Sequence, residues 1–238
     1  MSPVRSTRNR ASANLLFPEV RKNMLHRPRH SAFESENAAP LNMTLPYFHD
    51  QTPVTDEVLN VIAHLPTRSL VAVAAPGFLE KMTDAHLMRL AVLLAQKSYD
   101  EGGCPIGGVI IDNKTRLILG KGHNTLVQEN HPYNHGETSA IRDAGRKDFS
   151  QSTIFTTLSP CDVCAALMYM RQFSRVVVGD VTNASGNEQM LRDRGIQVDI
   201  LEDQMGIALY AKYRREKPGL DHEDWKGLAE VHRRSKHQ

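Results

Sequence analysis

Apolar positions recur at helical spacing in the first half of the chain and then gather into short runs separated by further helical stretches. Val58, Val61, Ile62 and Leu65 follow one face of a short helix from about Thr55, and Pro66 stops it. The apolar run 70–75 reads as a strand or a packing arm ended by Pro76-Gly77. Behind Asp84, a candidate N-cap, Leu87, Leu90, Ala91 and Leu94 repeat at i, i+3, i+4, i+7, so a buried helix is expected to about Tyr99, closed by Gly102 and Gly103. Residues 107–112 and 116–120 suggest a hairpin across Asn113-Lys114. His135 should open a helix over 136–145 with Ala140 and Ile141 inward. A strand at 153–157 leads into Leu158-Ser159-Pro160, where the next helix starts, because a proline there gives up no needed N–H. Strands at 175–179 and 197–201 then alternate with helices at 188–194 and 203–215, and after a break at Pro218-Gly219 a last helix begins near Asp221. This alternation predicts an α/β fold with helices on both faces of a central sheet.

Composition narrows the class. With 238 residues, 40% hydrophobic and 24% charged, the chain has the proportions of a globular protein with one sizeable core. No apolar run approaches the roughly 20 residues that span a bilayer. Three cysteines leave no disulfide framework, which fits a reducing compartment and a cytoplasmic location, with the nucleus as a further option. Net charge is +2, but residues 1–30 hold seven Lys or Arg against Glu19 alone, leaving 22 basic and 26 acidic residues in the remainder. Residues 1–50 therefore read as a basic, disordered tail, with a mitochondrial presequence in residues 1–30 as the alternative. Residues 51–82 form an extension of unreadable role, and 83–238 a catalytic domain. The acidic body argues against nucleic acid as partner and for a small substrate.

The chemistry lies in two short pieces, His135-Gly136-Glu137 and Pro160-Cys161-Asp162-Val163-Cys164. His135, Cys161 and Cys164 are three zinc ligands of suitable type, which leaves one tetrahedral position for water. Zinc lowers the pKa of that water, and Glu137 beside it can move protons. An H-x-E followed by P-C-x-x-C is the pattern of zinc nucleobase deaminases. A C-x-x-C alone would also suit a redox pair, but such a pair does not call for His-x-Glu upstream. A structural zinc would want a fourth protein ligand; Cys104, the only other thiol, lies in a turn without a nearby histidine and reads as a packed side chain. His135 taken alone would suit a core histidine.

Several further motifs resemble fungal cytosine deaminases over about residues 83–230. They are Glu101-Gly102-Gly103-Cys104-Pro105-Ile106-Gly107-Gly108, Gly120-Lys121-Gly122-His123-Asn124, the two zinc pieces with Leu158-Ser159 ahead of the second, and Glu223-Asp224. The resemblance implies a cytidine-deaminase-like three-layer α/β/α sandwich around a five-stranded mixed sheet, a homodimer, and one Zn²⁺ per chain on His135, Cys161 and Cys164. It implies Glu137 as proton shuttle. Asn124 and the backbone N–H of Gly136 would hold the ring, Ser159 (through its carbonyl) and Asp224 would receive the exocyclic amine, and the N–H of Cys161 would face the developing tetrahedral carbon.

Where those deaminases close the pocket with a Phe and a Trp, this chain aligns Ala184 and Asp221, which opens the cover and adds charge; Trp225, one turn on, is a candidate replacement. The expected function is zinc-dependent hydrolytic deamination of a small amino-substituted heterocycle, with cytosine the best single substrate. Deamination of another base or heterocycle, of a tRNA base, and a degenerate binding subunit are the alternatives.

Overall fold

The protein is described by a computed structural model for residues 46–224, with the side chains of 222–224 excepted. Phe48 forms a parallel bridge to Ala74. The first helix, α1 (Asp56–His64), is capped by Thr55, whose hydroxyl accepts from the Val58 N–H at 3.4 Å. The run 70–75 is not a strand: α2 (Thr67–Val73) buries Leu70 and Val73, three apart, while Val71 is 69% exposed, so a helical period prevails over the β-branched content. Nor does Pro76-Gly77 merely end an element. Pro76 opens α3 (Pro76–Glu80), a position that needs no N–H.

In α4 (Asp84–Asp100) the cap is Thr83 rather than Asp84. Its hydroxyl accepts from the His86 N–H at 3.3 Å, and His86 Nδ1 accepts from the Thr83 N–H at 3.2 Å. The hairpin joins β1 (Gly107–Asp112) to β2 (Ile118–His123). Its second strand starts later than the apolar pattern suggests, because the turn is held by Asp112 Oδ1, which accepts from the N–H groups of Lys114 and Thr115, and Arg116 turns the backbone at φ 58°.

Then follow α5 (Gly136–Ala144), β3 (Ser152–Thr156), α6 (Asp162–Met170), β4 (Arg175–Val178), α7 (Glu188–Asp193), β5 (Gln197–Ile200), α8 (Gln204–Glu216) and α9 (Pro218–Asp224). The last helix begins at Pro218, ahead of the expected 221, again with proline in a first turn. Strand order is β2-β1-β3-β4-β5; β1 runs antiparallel to both β2 and β3, and β3, β4 and β5 are mutually parallel, so the sheet is mixed.

Alternate residues of the central strands feed two cores. Val109, Ile111, Phe155 and Val177 pack with α1 to α4, the last through Leu87, Leu90, Ala91 and Leu94. Ile110, Ile154, Val176 and Val178 pack with Ala140 and Ala144 of α5, Ala165 and Met168 of α6, and Leu191 of α7. A smaller cluster joins Cys104, Ile106 and Leu158 to Tyr210 and Tyr213 of α8. Cys104 is thus a packed side chain, outside the group of metal-ligating residues.

A candidate zinc centre between two helix N-termini

His135 and Cys161 occupy equivalent places, each the N-cap of its helix. The His135 carbonyl accepts from the Ser139 N–H and the Cys161 carbonyl from the Ala165 N–H, both at 2.9 Å. Two positive helix ends therefore meet at one point, which favours anionic sulfur. Cys164 lies one turn into α6, on the side that reaches His135. The imidazole Nδ1 is 3.4 Å from Cys161 Sγ and 3.5 Å from Cys164 Sγ, and the three donor atoms lie within 4.8 Å of one another. Bond lengths of about 2.0 Å to nitrogen and 2.3 Å to sulfur in a tetrahedron place nitrogen and sulfur about 3.5 Å apart, which both imidazole–thiol distances match, so the set fits Zn²⁺.

Close packing sets this geometry. The start of α5 rests on the start of β1: a Cβ on Gly136 would meet the Ile106 carbonyl oxygen at 2.7 Å, and one on Gly108 would meet the Gly136 oxygen at 2.8 Å. The glycines Gly120 and Gly122 of β2 open the same path for the rest of the helix.

Glu137 is 3% exposed, and its Oε2 has no hydrogen-bond partner among the described residues. Burial pushes its carboxyl above the usual range, against the opposing pull of His135. The two thiols share a proton unequally. A hydrogen bond from Cys164 draws Cys161 down to about 4, while the same contact and burial hold Cys164 well above its ordinary value. A buried carboxyl oxygen without a partner among the described residues, beside an imidazole and two thiols, is a donor set whose chemistry suits a divalent cation and its bound water.

A cavity of about 520 Å³ opens at His135. Its wall includes Leu126, Val127, His131 and Pro132, and Leu220 of α9 faces it. The 126–132 loop was not legible as a pocket wall; the turn-rich His131-Pro132-Tyr133 just before His135 was its only signal. Asn124 is buried between β2 and this loop. Its Oδ1 accepts from the Leu126 N–H at 3.1 Å, and its carbonyl accepts from the Ser98 hydroxyl at 2.7 Å. Gly136, at the first position of α5, is buried beside Ile106.

Ser159 is buried; its N–H donates to the Asp180 carbonyl at 2.8 Å and its hydroxyl to the Glu188 carboxylate. Asn187 donates to the Pro160 carbonyl at 2.9 Å. Asn187 and Glu188 thus brace the Cys161 loop, a role hidden in the sequence because they come more than twenty residues later. Asp224 ends α9, and its side chain lies outside what is described, as does Trp225. Ala184 packs beside the Tyr210 cluster. Asp221 does not present an uncompensated charge. Its carboxylate accepts from the Tyr210 hydroxyl at 2.8 Å and pairs with Arg214 at 3.3 Å.

A mixed five-stranded sheet carrying one imidazole, two thiols and a buried carboxyl at adjacent helix starts defines a zinc-dependent deaminase. Residues 81–180 match the family model of the cytidine and deoxycytidylate deaminase zinc-binding region. A cytosine deaminase from Candida albicans is 43% identical over 145 residues, covering 60% of this chain and 93% of the relative. With nearly the whole relative covered at that identity, the chain belongs to the cytosine-deaminase-like family of zinc deaminases. A tRNA-specific adenosine deaminase from Haemophilus influenzae is 35% identical over 101 residues, 40% of this chain and 57% of that one. Among solved structures, guanine deaminase from Nitrosomonas europaea shares the fold, with a TM-score of 0.51 at 17% identity over 56% of this chain and 85% of that one.

Proposed function

We propose that this deaminase acts on a free amino-heterocycle and that cytosine, hydrolysed to uracil and ammonia, is its substrate. Identity of 43% across 93% of a cytosine deaminase carries the choice of cytosine. The meeting of His135, Cys161, Cys164 and Glu137 beside a cavity of about 520 Å³ carries the chemistry. His135, Cys161 and Cys164 hold the zinc. Zinc bound there supplies a water activated at neutral pH.

Glu137 carries the protons. Its Oε2, buried and without a partner among the described residues, is the atom that would take one proton from the attacking water and deliver it to the ring nitrogen, then take the second from the hydroxyl on the tetrahedral carbon and deliver it to the departing amine. Asn124 and the N–H of Gly136 orient the ring. The Ser159 carbonyl and the Asp224 carboxylate receive the amine, and the Cys161 N–H faces the carbon as it becomes tetrahedral.

Glu137→Ala separates these roles: the purified variant should retain one zinc per chain while kcat falls about 10²–10⁴-fold, and a variant that kept most of its turnover would refute the assignment. Ammonia release across cytosine, other aminopyrimidines and aminopurines tests the substrate. Deamination of another heterocycle is the second reading, supported by Ala184 where the resembling deaminases carry a ring; the pairing of Asp221 with Tyr210 and Arg214 offsets the charge that would have favoured a more polar substrate.

The working unit in this proposal is a homodimer. One side of α6 leaves Val163, Tyr169 and Met170 exposed at 58%, 41% and 73%, with Ala166 between them, an apolar stripe at helical spacing. Light scattering should give twice the chain mass. The catalytic domain would begin near Thr83, with 51–82 as an extension; residues up to 45 of the expected tail lie outside the described residues. No helix among the described residues is long and apolar enough to cross a membrane. Cysteine usage without a disulfide framework supports the cytoplasm as its location.

A further inference from the structure

A second cavity, of about 320 Å³, lies beside the free border of β2, between the end of α1, α4 and α5. Ser139 of α5 lines it, only 6% exposed, and its hydroxyl is buried with no hydrogen-bond partner among the described residues. Such a group ordinarily finds a protein, water or ligand partner.

The charges around it are mostly matched. Lys97 pairs with Glu101, and Arg142 faces Glu129 at 3.6 Å. Asp143 accepts from the Lys121 backbone N–H at 3.0 Å and from the Thr67 hydroxyl at 2.5 Å. The rings bordering the space are also engaged, His123 with Glu101 at 2.9 Å and His64 with the Asn60 carbonyl at 2.8 Å. Lys121 is the exception. Its ammonium donates to the backbone carbonyl of Ala63 at 2.7 Å and forms no ion pair with a carboxylate among the described residues. Burial, opposed by the field of Asp143, pulls it down to about 8.

A cation would meet Lys97, Lys121 and Arg142, and a neutral ligand would satisfy the hydroxyl but leave the ammonium without an anion at ion-pair distance among the described residues. We propose that this cavity binds a small oxyanion, a phosphate or carboxylate group, whose oxygens accept from the Ser139 hydroxyl and the Lys121 ammonium. The site is distinct from the zinc cavity, although Ser139 lies two residues after Glu137. Ala63 and His64, on its far wall, fall outside the region 81–180 that matches the family, so the site belongs to the seam between the extension and the deaminase fold.

Calorimetric titration of the zinc-loaded full chain at constant ionic strength, with inorganic phosphate and separately with succinate, tests this. Saturable binding of one ion per chain is expected, and the anion that binds more tightly identifies the group the cavity takes. Lys121→Met should weaken binding by about tenfold or more, as loss of a charge-assisted contact does, and Ser139→Ala by about fivefold. Arg146→Met, an exposed cation outside the cavity, should leave it unchanged. Because Lys121 also holds the Ala63 carbonyl, Ser139→Ala is the deciding variant if Lys121→Met fails to fold. No saturation with either anion, or Ser139→Ala binding as tightly as the parent, overturns the proposal.

Discussion

The two faces of the sheet are packed by different means. Towards α1–α4 the interior is filled mostly with bulk: Phe48 and Phe78 stack at 5.3 Å between ring centres among Leu59, Ile62, Leu79 and Met88, and the sheet meets a helix backbone at one end, where a Cβ on Gly107 would collide with the Ala91 carbonyl oxygen of α4. The other face has its own bulk, with Phe149 and Phe173 stacked at 4.7 Å, but where α5 crosses the strands the contact is made by small residues. Gly108, Gly120, Gly122 and Gly136 with Ala140 and Ala144 let a helix lie directly on the strands. Bulk stabilises through buried area and tolerates small adjustments, whereas backbone contact fixes distances and transmits any displacement. The zinc ligands and Glu137 stand on the second face, where position matters more than area.

Cys161→Ala is the most severe test of this division. Removing a ligand from a set of three should abolish both zinc content and turnover, read by metal analysis and ammonia release, while the α1–α4 face keeps its helical circular dichroism. Next in size is Phe78→Ala on the bulk face. It should lower the unfolding free energy by roughly 3–5 kcal/mol in urea and leave kcat per folded, zinc-loaded molecule unchanged. The smallest effect on stability belongs to Gly108→Ala. The added methyl meets the Gly136 carbonyl oxygen at 2.8 Å and its carbon at 3.1 Å, so α5 must shift. Stability should drop by about 1–3 kcal/mol. Turnover should nevertheless fall about 10²-fold, since a displacement near 1 Å at the reacting groups is enough for that. Equal activity in Gly108→Ala and the parent would show that the close approach has no bearing on catalysis.

The same contrast explains what could be read in advance. The second face was legible because its chemistry sits in short local motifs: a His-Gly-Glu and a Pro-Cys-x-x-Cys at helix starts dictate type and position within a few residues. Alternating apolar strands and helices were enough for a central sheet with helices on both faces, and the family resemblance supplied its mixed, five-stranded character. The bulk face was harder. Residues 70–75 read as a strand or a packing arm, yet 70–73 fold as the end of helix α2 within the core shared with α4 and the sheet, a tertiary decision that local propensity does not contain. The pocket wall at 126–132 and the brace from Asn187 and Glu188 were hidden for the same reason, since each acts across a sequence gap without a motif of its own.

The outer border of β2 would otherwise offer open backbone groups to any passing extended chain. Here Asp143 takes the Lys121 N–H, and Thr67 holds that carboxylate in place from the neighbouring helix α2. One otherwise open position of that border is thereby occupied from inside the protein, with a residue of α2 holding the group that covers it.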